Sequence, residues 1–193
     1  MVTVGIDEVG RGCWAGPLVA GAVILPLDYN PKNTTVLLRD SKKLSKKQRE
    51  AAAGWIQEHA LAVGLGWVTP SEVDEHGLTE SVRLAMTRAL NEIKIMYDEI
   101  IIDGNINYFA GNPKAHELIK ADDIVPSVSA ASILAKVARD TYMMQLDDTY
   151  ACYGFDQHVG YGTAMHIQAL KQYGVSDMHR LSYKPIKAIL EAQ

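Results

Sequence analysis

The sequence predicts an α/β fold: a mixed five-stranded sheet flanked by helices, followed by a helical C-terminal region. Three observations carry that prediction. Val2, Val4 and Ile6 alternate with Thr3, Gly5 and Asp7, the period of a half-buried strand. Ile100-Ile101-Ile102 form an unbroken apolar run directly after a long amphipathic stretch, the pattern of a buried parallel strand. The first two strands have no helix between them, whereas helix and strand alternate later, so the sheet must be of mixed direction. A length of 193 residues suits one domain with a substantial core, about 1–150 forming the α/β part and about 151–193 the helical region packed on it.

Each element has its local reason. Glu8 to Gly12 reads as an acidic, glycine-bearing turn closing the first strand, and Leu18 to Leu25 as its hairpin partner, ended by Pro26. Ser45 is placed to cap a helix from about Lys46 to His59. Leu61 to Val68 reads as the third strand, and Pro70-Ser71 opens a short helical piece. Leu78 to about Met96 is a long helix whose apolar stripe includes Leu78, Val82, Ala85, Ala89 and Ile93. His116 to Lys120 reads as a fifth strand, Ser129 to about Tyr150 as a second long helix, and Thr163 to about Tyr173 as a third.

Composition excludes several classes. With 48% hydrophobic and 22% charged residues the chain is neither disordered nor collagen-like. Cys13 and Cys152 are too few for a disulfide framework, which points to a reduced, cytoplasmic setting. Asp7, Glu8 and Arg11 stand where a signal peptide needs its apolar core, and the apolar stretch from Trp14 to Leu27 is too short to span a bilayer. No membrane contact is expected. A formal charge of −4 argues against coating nucleic acid by bulk charge. A monomer is expected, because no long exposed apolar segment stands out.

The candidate chemistry lies at strand ends. Asp7 and Glu8 close the first strand, Asp103 follows the Ile100–Ile102 run, and Asp122-Asp123 follow the fifth strand. Each alone is explained by solvation or a good turn. Together they form an acidic set at the edge where open α/β sheets bind ligands, and crowded carboxylates are tolerated chiefly around a hard cation such as Mg²⁺ or Mn²⁺. Which of Asp122 and Asp123 faces inward is left open. Cys152, His158 and His166 lack zinc-site spacing. Six of the 19 basic residues lie between Arg39 and Arg49, a density able to grip a phosphodiester backbone. Gly10-Arg11-Gly12 and Gly160-Tyr161-Gly162 are turns that allow close approach to a ligand, with Tyr161 available for stacking.

These residues fall into segments that resemble the type 2 ribonucleases H, specifically bacterial ribonuclease HII. The segments are Gly5-Ile6-Asp7-Glu8-Val9-Gly10-Arg11-Gly12, Asp40-Ser41-Lys42-Lys43-Leu44, Ile102-Asp103-Gly104-Asn105 and Lys120-Ala121-Asp122. Ser129 to Val137 with Arg139-Asp140, Gly160-Tyr161-Gly162-Thr163 and His179-Arg180 continue the match in the family's order. The resemblance implies a ribonuclease H-like fold. It also implies an endonuclease that hydrolyses the RNA strand of RNA–DNA hybrids and cuts 5′ of ribonucleotides embedded in duplex DNA, leaving 3′-hydroxyl and 5′-phosphate ends.

Carried over by position, Asp7, Glu8, Asp103 and Asp122 are implied to be the catalytic, metal-binding acids for two divalent ions, Mn²⁺ or Mg²⁺. Gly10, Arg11 and Gly12 are implied to read the ribonucleotide 2′-hydroxyl, Tyr161 to stack on the next sugar, and Ser41 and Lys42 to hold the backbone. Ala121 stands where the family usually has glycine, and Val159 where it often has lysine. Arginine at position 11, with the first strand at the start of the chain, fits the HII branch better than HIII. Two other readings fare worse. A binding module without catalysis would lack the carboxylates, and a small-molecule phosphotransferase would need a Gly-x-x-x-x-Gly-Lys loop that is absent.

Overall fold

The computed structural model describes residues 1–191; the last two positions of the expected 1–193 domain lie outside the described residues. Five strands form one sheet: β1 (Thr3–Val9), β2 (Leu18–Ile24), β3 (Ala62–Val68), β4 (Glu99–Asp103) and β5 (Ala115–Leu118). Their spatial order is β3-β2-β1-β4-β5, with β1–β2 and β2–β3 antiparallel and β1–β4 and β4–β5 parallel. This is the mixed sheet read from the sequence.

The helices are α1 (Lys46–His59), α2 (Pro70–His76), α3 (Leu78–Asn91), α4 (Ala121–Ile124), α5 (Pro126–Tyr150), α6 (Phe155–His158), α7 (Ala164–Tyr173) and α8 (Lys184–Glu191). Ser45 caps α1 through a reciprocal box with Gln48, and Thr69 does the same for α2 with Glu72. No helix among the described residues is long and apolar enough to cross a membrane.

Two apolar layers enclose the sheet. On one face Val4, Ile6, Ala20, Ala22, Ile100 and Ile102 pack with Val82, Ala85, Met86 and Ala89 of α3. On the other, Val23 and Leu25 pack with Ala52 and Ile56 of α1 and with Ala130, Ile133 and Leu134 of α5. Helix α5 lies very close to the sheet: a Cβ at Gly21 would collide with the carbonyl of Ala131. A third cluster, built from Ala15, Met143, Tyr153, Phe155, Leu170 and Ile186, joins the C-terminal helices to α5 and to the loop after β1.

Several boundaries differ from the sequence reading, each for a tertiary reason. Strand β1 runs on through Glu8 and Val9, which the sequence placed in a turn, because both pair with Ala20 and Val19 of β2. Helix α3 stops at Asn91, not near Met96, leaving the chain room to reach the start of β4. Helix α5 begins at Pro126, not Ser129, with proline in the first turn where no N–H is needed. Asp122 and Asp123 sit in the short helix α4, not in a loop. The fifth strand is Ala115–Leu118, beginning and ending earlier than expected.

Candidate active site

The parallel register of β1 and β4, running from Thr3 beside Glu99 to Ile6 beside Ile102, brings Asp7 next to Asp103 at the carboxyl ends of both strands. Asp7 is buried, and its carboxyl is pushed up by that burial, then by the charge of Glu8, with Asp103 adding to the effect. Asp7 Oδ1 accepts the Glu8 N–H at 2.8 Å. Glu8 is raised by burial and by Asp103, and is partly offset by Arg11, whose Nη1 lies 3.2 Å from Glu8 Oε1. Strand alternation sends Asp7 and Glu8 to opposite faces, yet Asp103 acts on both, because all three sit at the sheet's end.

The two adjacent aspartates of α4 part company. Asp122 is buried, its N–H is 3.4 Å from Asp103 Oδ1, and its carboxyl is raised by burial, then by Asp103 and Asp40. Asp123 is exposed and paired with Lys43, which lowers its pKa. The inward aspartate is therefore Asp122.

Among the described residues, no three His, Cys, Asp or Glu side chains enclose a metal position as they stand. The donor chemistry nevertheless fits a hard divalent ion. Asp7, Glu8, Asp103 and Asp122 offer oxygens only, and three of them are held at raised pKa in part by a neighbouring carboxylate's charge, a stress that a cation between them would relieve.

Beside the carboxylates lies the turn after β1. Gly10 has φ +92 and no room for a Cβ, which would meet Arg139 Nε. Arg11 and Gly12 are exposed. The turn is held by groups that the sequence reading did not assign. Arg180 is wholly buried; its Nη1 donates to the Arg11 carbonyl at 3.2 Å, while Nε and Nη2 donate to the Gly16 carbonyl. The Tyr183 hydroxyl donates to the same Arg11 carbonyl at 2.5 Å. Arg139, also wholly buried, donates to the carbonyls of Pro17, Val159 and Ala15. For Arg139 a signal existed: it interrupts the buried stripe Val128, Ser132, Ala135 and Met143 of α5 at helical spacing. Arg180 stands in the matched His179-Arg180 segment, but no periodicity or spacing pointed to its role.

The basic segment divides in its roles. Ser41 is buried, and its hydroxyl lies 3.1 Å from that of Ser132, whose side chain in turn lowers the pKa of Asp7; the serine is thus linked to the carboxylate site from behind. Lys42 is exposed, and its charge partly offsets the raised pKa of Asp122. Arg49 turns back onto the carbonyls of Ser41 and Leu44 and so braces the segment itself. Tyr161 is 40% exposed, and its phenol borders the buried Cys13 thiol. Both cysteines are free.

Comparison with known proteins agrees with this architecture. The sequence profile of the Ribonuclease HII family matches residues 4–186. Ribonuclease HII of Dichelobacter nodosus (strain VCS1703A) is 45% identical over 187 residues, covering 97% of this chain and 96% of that protein. The crystal structure of ribonuclease H2 from Pyrococcus horikoshii OT3 superposes with a TM-score of 0.85 at 29% identity, covering 100% of this chain and 98% of that one. Bst-RNase HIII, solved in complex with Mn²⁺, shares the fold with a TM-score of 0.76 at 21% identity, over 100% of this chain and 70% of that one. With its profile matched almost end to end and its carboxylates gathered at one sheet edge, the chain belongs to the ribonuclease HII family of metal-dependent endoribonucleases, which act on RNA paired with DNA.

Proposed function

We propose that this chain cleaves the RNA strand of RNA–DNA hybrids and cuts duplex DNA on the 5′ side of an embedded ribonucleotide, leaving 3′-hydroxyl and 5′-phosphate ends. The observation that carries the reading is the gathering of Asp7, Glu8 and Asp122 around Asp103, whose charge raises the pKa of all three, next to a clamped Gly10–Gly12 turn. Asp7, Glu8, Asp103 and Asp122 would hold two divalent ions, Mg²⁺ or Mn²⁺, which when bound activate a water and stabilise charge on the attacking and leaving oxygens.

The chain's own residues supply the selection. Gly10, Arg11 and Gly12 present backbone groups to the 2′-hydroxyl, the one group that separates RNA from DNA at a site. A deoxyribose there leaves those groups unpaired, which costs about 1–3 kcal/mol. Tyr161 stacks on the sugar that follows, and Lys42 grips a phosphate, with Ser41 bracing its segment. We read residues 1–193 as one unit acting as a cytoplasmic monomer.

The test is a DNA duplex carrying one ribonucleotide, incubated with Mg²⁺ or Mn²⁺. Cleavage on the 5′ side of that ribonucleotide is expected. Intact duplex, or cuts scattered through the DNA, would sink the reading.

A further inference from the structure

Three buried histidines, distant from the carboxylates in sequence, converge beneath Tyr161. The polarity of their hydrogen bonds is fixed from both ends. The Ser176 backbone N–H donates to His179 Nδ1 at 2.9 Å, so that nitrogen carries a lone pair and the neutral ring's proton is on Nε2. His179 Nε2 lies 3.0 Å from His166 Nε2 and must donate to it. His166 then carries its own proton on Nδ1, 2.9 Å from the Tyr161 carbonyl, which is able only to accept. A donor at one end and an acceptor at the other leave a single arrangement: Ser176 N–H to His179, His179 to His166, His166 to Tyr161.

The third ring completes the grip. His158 Nδ1 accepts the Gly160 N–H at 3.2 Å while Nε2 donates to the Tyr153 carbonyl at 2.8 Å, and its ring stacks on His166 at 4.5 Å. The backbone so held is strained. Val159 has φ +44, a conformation that a β-branched residue adopts only when its surroundings impose it.

We infer that His166 and His179 are positioning residues for substrate discrimination: their directed pair sets the Tyr161 carbonyl, and through it the ring that meets the sugar after the ribonucleotide. Neither imidazole touches the carboxylates or needs to touch substrate. His179 is followed by Arg180, which holds the Arg11 carbonyl, so two consecutive residues set both recognition turns. The inference rests on the reading of Tyr161 as the stacking residue.

The test compares kcat/KM on two duplexes, one with the ribonucleotide followed by deoxyribose and one with it followed by ribose. Asparagine places an amide N–H near the His166 Nδ1 position, whereas glutamine places its amide near Nε2. His166→Asn should keep the preference ratio within about twofold of wild type. His166→Gln and His166→Ala should lower it about tenfold, the scale of one lost directed hydrogen bond.

Melting temperatures of all three variants separate this effect from general loosening. A ratio that falls in step with stability, or falls equally for Asn and Gln, overturns the relay. Tyr161→Ala keeps the two levels distinct. If it collapses the ratio while every His166 variant leaves it intact, the relay is wrong and the stacking role stands. If Tyr161→Ala leaves the ratio unchanged, the stacking role itself fails and takes the relay with it.

Discussion

At the ends of β1 and β4, the charge of Asp103 helps to raise the pKa of Asp7, Glu8 and Asp122, and Arg11 partly offsets Glu8. Across the Gly10–Gly12 turn the arrangement is reversed. Arg139 and Arg180 are fully buried cations, but their guanidinium groups are met by carbonyls, and the histidine pair beside them is neutral and hydrogen-bonded at both ends. Charge stress is thus left where an incoming cation relieves it, and polar satisfaction is complete where a turn must keep its shape. On the function proposed above, the first region serves the chemistry and the second the recognition.

The largest expected effect isolates the stressed region. Asp7→Asn or Asp103→Asn should lower kcat by about 10²-fold or more, the scale of removing one electrostatic group at a reacting centre, while hybrid binding persists. Metal-free stability of Asp7→Asn should equal or exceed that of wild type, because a repelling charge is gone. Turnover near wild type at saturating Mg²⁺ would end the assignment.

The satisfied region should respond in the opposite sense. Arg180→Ala strips donors from the Arg11 and Gly16 carbonyls and opens a cavity, so urea denaturation should show a loss of about 3–5 kcal/mol. A loss under about 1 kcal/mol would mean the clamp is ornamental.

The two regions also titrate with opposite sign. The folded chain holds protons on Asp7 and Glu8 that the unfolded chain releases above its ordinary carboxylate values of 3.8 and 4.5, so their contribution to stability falls as pH rises through that window. His166 and His179 are held near 4, against 6.5 unfolded, by burial. Their contribution is complete above pH 6.5 and is lost as pH falls toward 4. Thermal melts across this range should show Asp7→Asn flattening the first slope and His166→Asn flattening the second. An unchanged profile in either variant contradicts the corresponding assignment.

The smallest effect concerns Lys42. Its replacement by alanine should weaken hybrid binding only modestly, with the salt dependence of log K reduced by about one phosphate contact.

How much of this was legible in the sequence follows the range of each interaction. Asp7 and Asp103 were readable because strand ends announce themselves locally and a parallel register does the rest. Glu8 was misplaced into a turn because its strand character comes from pairing with Ala20 across a hairpin. The choice between Asp122 and Asp123 needed the fold, since it depends on which one meets Lys43. The clamp's arginines stood in matched segments, but its contacts were illegible for the same reason on a larger scale. Arg180 meets a carbonyl 169 positions away, and no local pattern encodes that. Net charge misled as well, because part of the acidic excess is gathered at the ends of β1 and β4 and in α4 instead of being spread over the surface.

The central claim, that the carboxylate cluster is a cation site, is tested most directly by the melting temperature of the protein with and without Mn²⁺. Wild type should gain stability with rising Mn²⁺, and Asp7→Asn should start at least as stable yet gain little. An equal gain in both, or no gain in wild type, would contradict the account.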